Sequence, residues 1–133
     1  MKLKSVVFLL ALFAIGTAVN AQEVKIKKEI ASVDGKEYVR VGDCGMFAKE
    51  CYISNLEGDQ LILIKPLEDP RTPGTYFQVT FMETNTKVEI KKTIKPFIKM
   101  LYENKIVTED GKLNPQRVKT FSEKYGNQIS LKK

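Results

Sequence analysis

The 133-residue sequence contains no histidine and no tryptophan, and only two cysteines. Without histidine there is no imidazole to activate a serine or cysteine nucleophile, and the commonest metal ligand is missing. Two thiols alone leave too few soft donors for a structural zinc site. Their spacing, Cys44 to Cys51, is not the Cys-x-x-Cys of a redox pair. No Gly-x-Ser-x-Gly, no Gly-x-Gly-x-x-Gly and no phosphate-cradling Gly-Lys-Ser/Thr occurs, so the common nucleophile and nucleotide motifs are absent. Carboxylates remain as the acid–base groups. Glu57 with Asp59 and Glu68 with Asp69 fall in turn or loop segments, where exposed acids are ordinary. Paired carboxylates hydrolyse glycosides only across a cleft of about 5–9 Å, which spacing along a chain does not establish. Glu109-Asp110-Gly111 lacks the alternating oxygen ligands of a calcium loop. No catalytic residue, metal ligand or cofactor site is therefore expected. The expected class is a non-catalytic binding domain, ahead of a small carboxylate-dependent hydrolase.

Long apolar runs are also scarce, with one exception. Lys2 and Lys4 precede a ten-residue stretch, Val6 to Ile15, and the polarity rises again through Ala18-Val19-Asn20-Ala21-Gln22. A positive start, an apolar centre and a small-residue exit make a secretory signal peptide. The run falls short of the about 20 residues that cross a bilayer, so cleavage is expected rather than anchoring. Lipidation would need a cysteine just after the cut, and the first is Cys44. The chain thus divides into a cleavable signal peptide, residues 1–21, and a single small exported domain, residues 22–133, bound for the periplasm or the medium and not membrane-spanning.

Export changes what the two cysteines imply. An even count in an oxidising compartment predicts a disulfide, Cys44 to Cys51. Closing so short a loop stabilises by about 2.5 kcal/mol on chain-entropy grounds. The loop carries Met46 and Phe47, with Lys49 beside them. A clamped loop loses little entropy on binding, which makes these three residues a candidate protein-contact loop. Export also makes nucleic acid an unexpected partner.

Charge is uneven along the chain. Residues 85–133 carry 12 Lys/Arg against 5 Asp/Glu, while residues 22–84 carry 8 against 11. A basic C-terminal part suggests a polyanionic partner. Lys91, Lys92, Lys95, Lys99 and Lys105 are the candidate anion-binding residues, with anionic lipid or polysaccharide of the envelope as the ligand. The competing explanation is the ordinary solvated side of a helix packed on a sheet.

Local patterning predicts strands first and helices last. Val24-Lys25-Ile26-Lys27 and Glu37-Tyr38-Val39-Arg40-Val41 alternate apolar with polar, and Asp34-Gly35 between them marks a turn. Further strands are expected around Cys51–Ser54, Leu61–Ile64, Tyr76–Phe81 and Lys87–Ile90. The continuous run Leu61-Ile62-Leu63-Ile64 reads as a strand covered on both faces. Ile94, Phe97, Ile98 and Leu101 then recur at helical spacing. Asn114-Pro115 opens a second helix, with Leu113 and Val118 at staple positions, and Gly126 closes it. The expected fold is α+β: an antiparallel sheet of about five to six strands (residues 23–90), followed by two short C-terminal helices (about 93–104 and 115–125) packed on it. The tail at Ile129-Ser130-Leu131 is a candidate short edge strand.

Overall fold

The computed structural model describes residues 23–42 and 50–131. The predicted signal peptide lies outside these residues, as do Cys44, Met46, Phe47 and Lys49. The chain forms one antiparallel sheet of seven strands: β1 Val24–Lys27, β2 Ile30–Val33, β3 Lys36–Gly42, β4 Cys51–Ser54, β5 Gln60–Glu68, β6 Thr75–Phe81 and β7 Thr86–Ile90. Every spatial neighbour in the sheet is also a sequence neighbour. Helices α1 Ile94–Glu103 and α2 Pro115–Tyr125 follow, then a single turn, α3 Gln128–Leu131. The α+β architecture matches the sequence pattern, with one strand more than expected.

Period-two alternation places one face of every strand in the core. Across the middle of the sheet Ile53 lies opposite Ile62, and Ile62 opposite Phe81; all three are fully buried. Helix α1 covers β1 and β2, and α2 covers β7. The expected stripe of α1 is what docks, since Phe97, Ile98 and Leu101 are fully buried. Edge-to-face aromatic pairs join the layers. Phe77 meets Phe97 at 6.4 Å between ring centroids, and Phe81 meets Phe121 at 6.0 Å. Such pairs add about 0.5–1.5 kcal/mol beyond their burial.

The additional strand is β2, and it corrects the expected hairpin. β1 pairs with β2 rather than with β3, through a two-residue turn at Lys28-Glu29. Both turn residues take positive φ, +50° and +68°. This is the backbone of a tight hairpin turn, made here without the Asn or Gly that normally marks one. The expected Asp34-Gly35 turn, at φ +54° and +84°, joins β2 to β3. Strand β5 departs from expectation on one face. Ile62 and Ile64 are fully buried, whereas Leu61 and Leu63 stay half-exposed, because the helices cover only one side of the sheet. Ile129 to Leu131 belong to a helical turn, not an edge strand. This turn follows Gly126, whose carbonyl accepts from Glu89 N–H at 2.7 Å on β7.

Helix ends differ in how closely they follow the capping pattern. Asn114 caps α2 as expected, its side chain accepting from Gln116 N–H and Arg117 N–H at 3.1 and 3.2 Å. Leu113 and Val118 are both buried, as a staple requires. Thr93 precedes α1 with extended backbone but makes no side-chain cap.

Candidate functional site

A break in strand register creates the most developed concavity. β2 and β3 pair at Ala31 with Val39, then slip so that Ser32 faces Glu37. Tyr38 is the extra residue of this bulge. A bulge takes a side chain off plain alternation, and Tyr38 turns toward the helices. Its ring meets Tyr102 of α1 edge-on at 5.3 Å and 85°. Its hydroxyl donates to the Val107 carbonyl at 3.1 Å. Burial pushes the titration of this hydroxyl well above the ordinary tyrosine value.

Val107 belongs to a small hairpin between α1 and α2, closed by its bridge to Leu113 and by Asn114 N–H donating to Ile106 O at 2.9 Å. The buried Asn55 anchors this hairpin to the β4–β5 turn. Its amide donates to Gly111 O at 2.9 Å, and its carbonyl accepts from Asp59 N–H at 2.8 Å. Gly111 has φ +80°, and a Cβ there would stand 3.0 Å from the Cβ of Asn55. Close approach and left-handed backbone both call for glycine. Thr108 hydrogen-bonds Asp110, holding that carboxyl below its ordinary range.

Strand β3, helix α1, this hairpin and the start of α2 together enclose an open groove of about 750 Å³. Its wall is Tyr38, Tyr102, Leu56 and Val107. Its rim carries three cations, Lys36, Lys105 and Arg117, and three carboxylates, Glu37, Glu103 and Glu109. One pair is closed, Lys36 to Glu109 at 3.0 Å, with both side chains largely solvated. Lys105, Arg117, Glu37 and Glu103 make no side-chain hydrogen bond or ion pair among the described residues. Lys105 also holds φ +55°, a conformation uncommon outside glycine, asparagine and aspartate.

The five candidate anion-binding lysines fall in three places. Lys91 is spent internally, its Nζ lying 2.6 Å from both Asp69 Oδ2 and Thr72 Oγ1. Arg71 N–H reaches the other Asp69 oxygen at 2.9 Å, so the Asp69–Gly74 loop is tied to the end of β7. The Lys91 contact, followed by the Arg71 amide, holds the Asp69 carboxyl well below the usual range. Lys92 lines a smaller hollow of about 200 Å³ with Lys124 and Tyr125. Lys95 and Lys99 stand exposed one turn apart on α1. Lys105 belongs to the groove. The loop residues Met46, Phe47 and Lys49 lie outside the described residues. So does Cys44; Cys51 opens β4 and is buried opposite Ile64.

Among the carboxylates considered from sequence, Glu57 and Asp59 line a third hollow with Glu83 and Asp110. No group of three or more His, Cys, Asp or Glu able to hold a metal occurs among the described residues. No helix among them is long and apolar enough to cross a membrane. Tyr38, Tyr102, Leu56 and Arg117 were not distinguishable from sequence as a site. Alternation assigns Tyr38 to the solvent face of β3, and only the bulge reverses it. The chain matches no protein-family model, no curated protein and no solved structure.

Proposed function

We propose that the mature chain is a non-catalytic binding domain of an exported compartment, with the groove at Tyr38 and Tyr102 as its binding site. The carrying observation is the pairing of an aromatic wall with unpaired charges in one open concavity of about 750 Å³. Ligand sites combine an apolar lining with a few convergent polar groups, at volumes of about 300–1,000 Å³. Tyr102, 36% exposed in the groove wall, offers contact area at low entropic cost, because tyrosine fixes only two side-chain torsions. Catalysis has less support. The chain has no histidine to activate a nucleophile or to act as a general base near neutral pH. The signal peptide of residues 1–21 and a Cys44–Cys51 bridge complete this reading.

Amide NMR of the mature protein tests it, with a mixture of small aromatic, dipeptide and sugar fragments as the probe. Perturbations should gather on Glu37, Tyr38, Tyr102 and Arg117, and should weaken in Tyr102→Ala. A response spread over the surface, or centred on Lys95 and Lys99, would remove the groove from the proposal.

Lys95 and Lys99 favour a second reading, in which the domain holds anionic envelope lipid or polysaccharide through its basic helices. Both are exposed and make no ion pair among the described residues. That reading requires binding to anionic vesicles that weakens with salt and falls in the double variant Lys95→Gln, Lys99→Gln.

A further inference from the structure

We propose that the groove takes a neutral oligosaccharide; the inference rests on the reading that the groove is a binding site. The charge inventory decides the class. Three cations face three carboxylates around one rim, and closing Lys36 against Glu109 at 3.0 Å leaves two of each sign open. An anionic ligand drawn to Lys105 and Arg117 would also meet Glu37 and Glu103, and a cationic ligand meets the reverse. A hydroxyl group avoids the conflict, because it donates to a carboxylate and accepts from an ammonium or guanidinium. Several hydroxyls on one ligand can therefore meet charges of both signs. Asn114 adds a donor on the same rim, since its carbonyl is committed to the α2 amides while its NH₂ makes no hydrogen bond among the described residues.

The wall supplies the other half of the match. A pyranose ring has a face of C–H groups that is apolar, and Tyr102, a residue 36% exposed, lines the groove as its counterpart. Tyr38 packs perpendicular to that ring and is itself held by Val107, so the platform is preorganised rather than assembled on binding. Other ligand classes fit less well. A peptide that binds by adding a strand needs a free sheet edge, and β3 is already paired on both sides by β2 and β4. A lipid chain would desolvate the six charged side chains of the rim, and burying charge without partners is costly.

The experiment is titration of the isotope-labelled mature protein with four neutral oligosaccharides: chitotetraose, maltohexaose, cellohexaose and mannohexaose. At least one should shift the amides of Glu37, Tyr38, Tyr102 and Arg117 at millimolar concentration or below. Binding should be insensitive to salt, unlike attraction to Lys95 and Lys99. Tyr102→Ala should weaken it about tenfold, equivalent to about 1.4 kcal/mol. Arg117→Gln, an exposed change that leaves the core alone, should weaken it several-fold with an otherwise unaltered spectrum. If none of the four shifts the groove while the aromatic and dipeptide fragments do, the saccharide class is overturned and the binding site stands. If no probe shifts the groove, both are overturned. Preferential, salt-sensitive binding of an acidic saccharide such as oligogalacturonate overturns the neutrality of the ligand.

Discussion

Two ends of the molecule handle charge in opposite ways. Where β7 meets the Asp69–Gly74 loop, charges are consumed internally. Lys91 bonds Asp69 and Thr72, and the buried Glu89 accepts from Ser130 N–H at 2.9 Å. At the groove, four charged side chains stay open around an aromatic pair. The same residue types thus serve folding at one end and remain available at the other. A lysine count along the sequence does not separate the two uses. The partner each lysine finds does.

The largest expected effect tests how rigidly the groove wall is set. Gly111→Ala forces a left-handed alanine and drives its Cβ to 3.0 Å from that of Asn55. A cost of about 2–3 kcal/mol follows from the backbone penalty plus crowding, which lowers the melting temperature by roughly 10 °C. Gly35→Ala, in the β2–β3 turn, has a similar φ of +84° but nothing within 4 Å of the added Cβ. It should cost only the backbone term, about 1–2 kcal/mol. Calorimetry of the two variants compares them directly. Equal losses would mean that Asn55 yields and the wall is soft.

Tyr38→Phe comes next. It removes the donor to Val107 O while keeping the ring against Tyr102, at a cost of about 1 kcal/mol. The pH dependence is distinctive. Burial raises the Tyr38 hydroxyl, so the folded state holds this proton more tightly than the unfolded one. The associated stability is complete below the unfolded tyrosine value near 10 and is lost as pH rises above it. Urea unfolding between neutral and strongly alkaline pH should show a decline that is shallower in Tyr38→Phe. Parallel declines would place the alkaline sensitivity elsewhere.

How much of this was readable beforehand depends on the range of the interaction. Helix α2 was legible from end to end, because Asn114, Pro115 and Gly126 act within a few residues of where they stand. The buried face was legible in part, since Val39, Val41, Val79 and Phe81 follow simple alternation, whereas the continuous run Leu61–Ile64 hid which of its faces is buried. Strand β2 was not: Lys28-Glu29 carries no turn signature, and Ile30 points away from the face that buries Ala31 and Val33. The groove was illegible for a different reason. Its residues come from β3, the β4–β5 turn, α1, the following hairpin and α2, so no spacing relates them. The one local cause, the bulge at Tyr38, is a register choice made between two strands rather than within one.

Acid sharpens the contrast from the closed end. Asp69 is held below the ordinary carboxyl range, chiefly by Lys91. A depressed carboxyl contributes stability that is complete above the unfolded value near 4 and is lost as pH falls below it. Asp69→Asn should therefore be less stable than the parent at neutral pH and should converge with it in acid. A constant difference across that range would show that the loop is held by its backbone and by Thr72, not by the charge.

The smallest effect is expected at Lys36. Its bridge to Glu109 is as short as many structural ion pairs, 3.0 Å, yet the two side chains are 73% and 88% exposed. In the Lys91–Asp69 pair the acid is only 3% exposed. Water screens the first pair and is largely excluded from one partner of the second, which is also the shorter pair at 2.6 Å, so the two carry unequal weight. Lys36→Gln should leave the melting temperature unchanged within error, with or without added salt, whereas Lys91→Gln should lower it measurably at low salt. Because Lys36 and Glu109 close part of the groove rim, Lys36→Gln should instead free the Glu109 carboxylate and alter ligand affinity without altering stability. A change in stability at Lys36, with none at Lys91, would invert the assignment of the two ends: the groove would be the part that holds the fold, and the Asp69 loop the part left open.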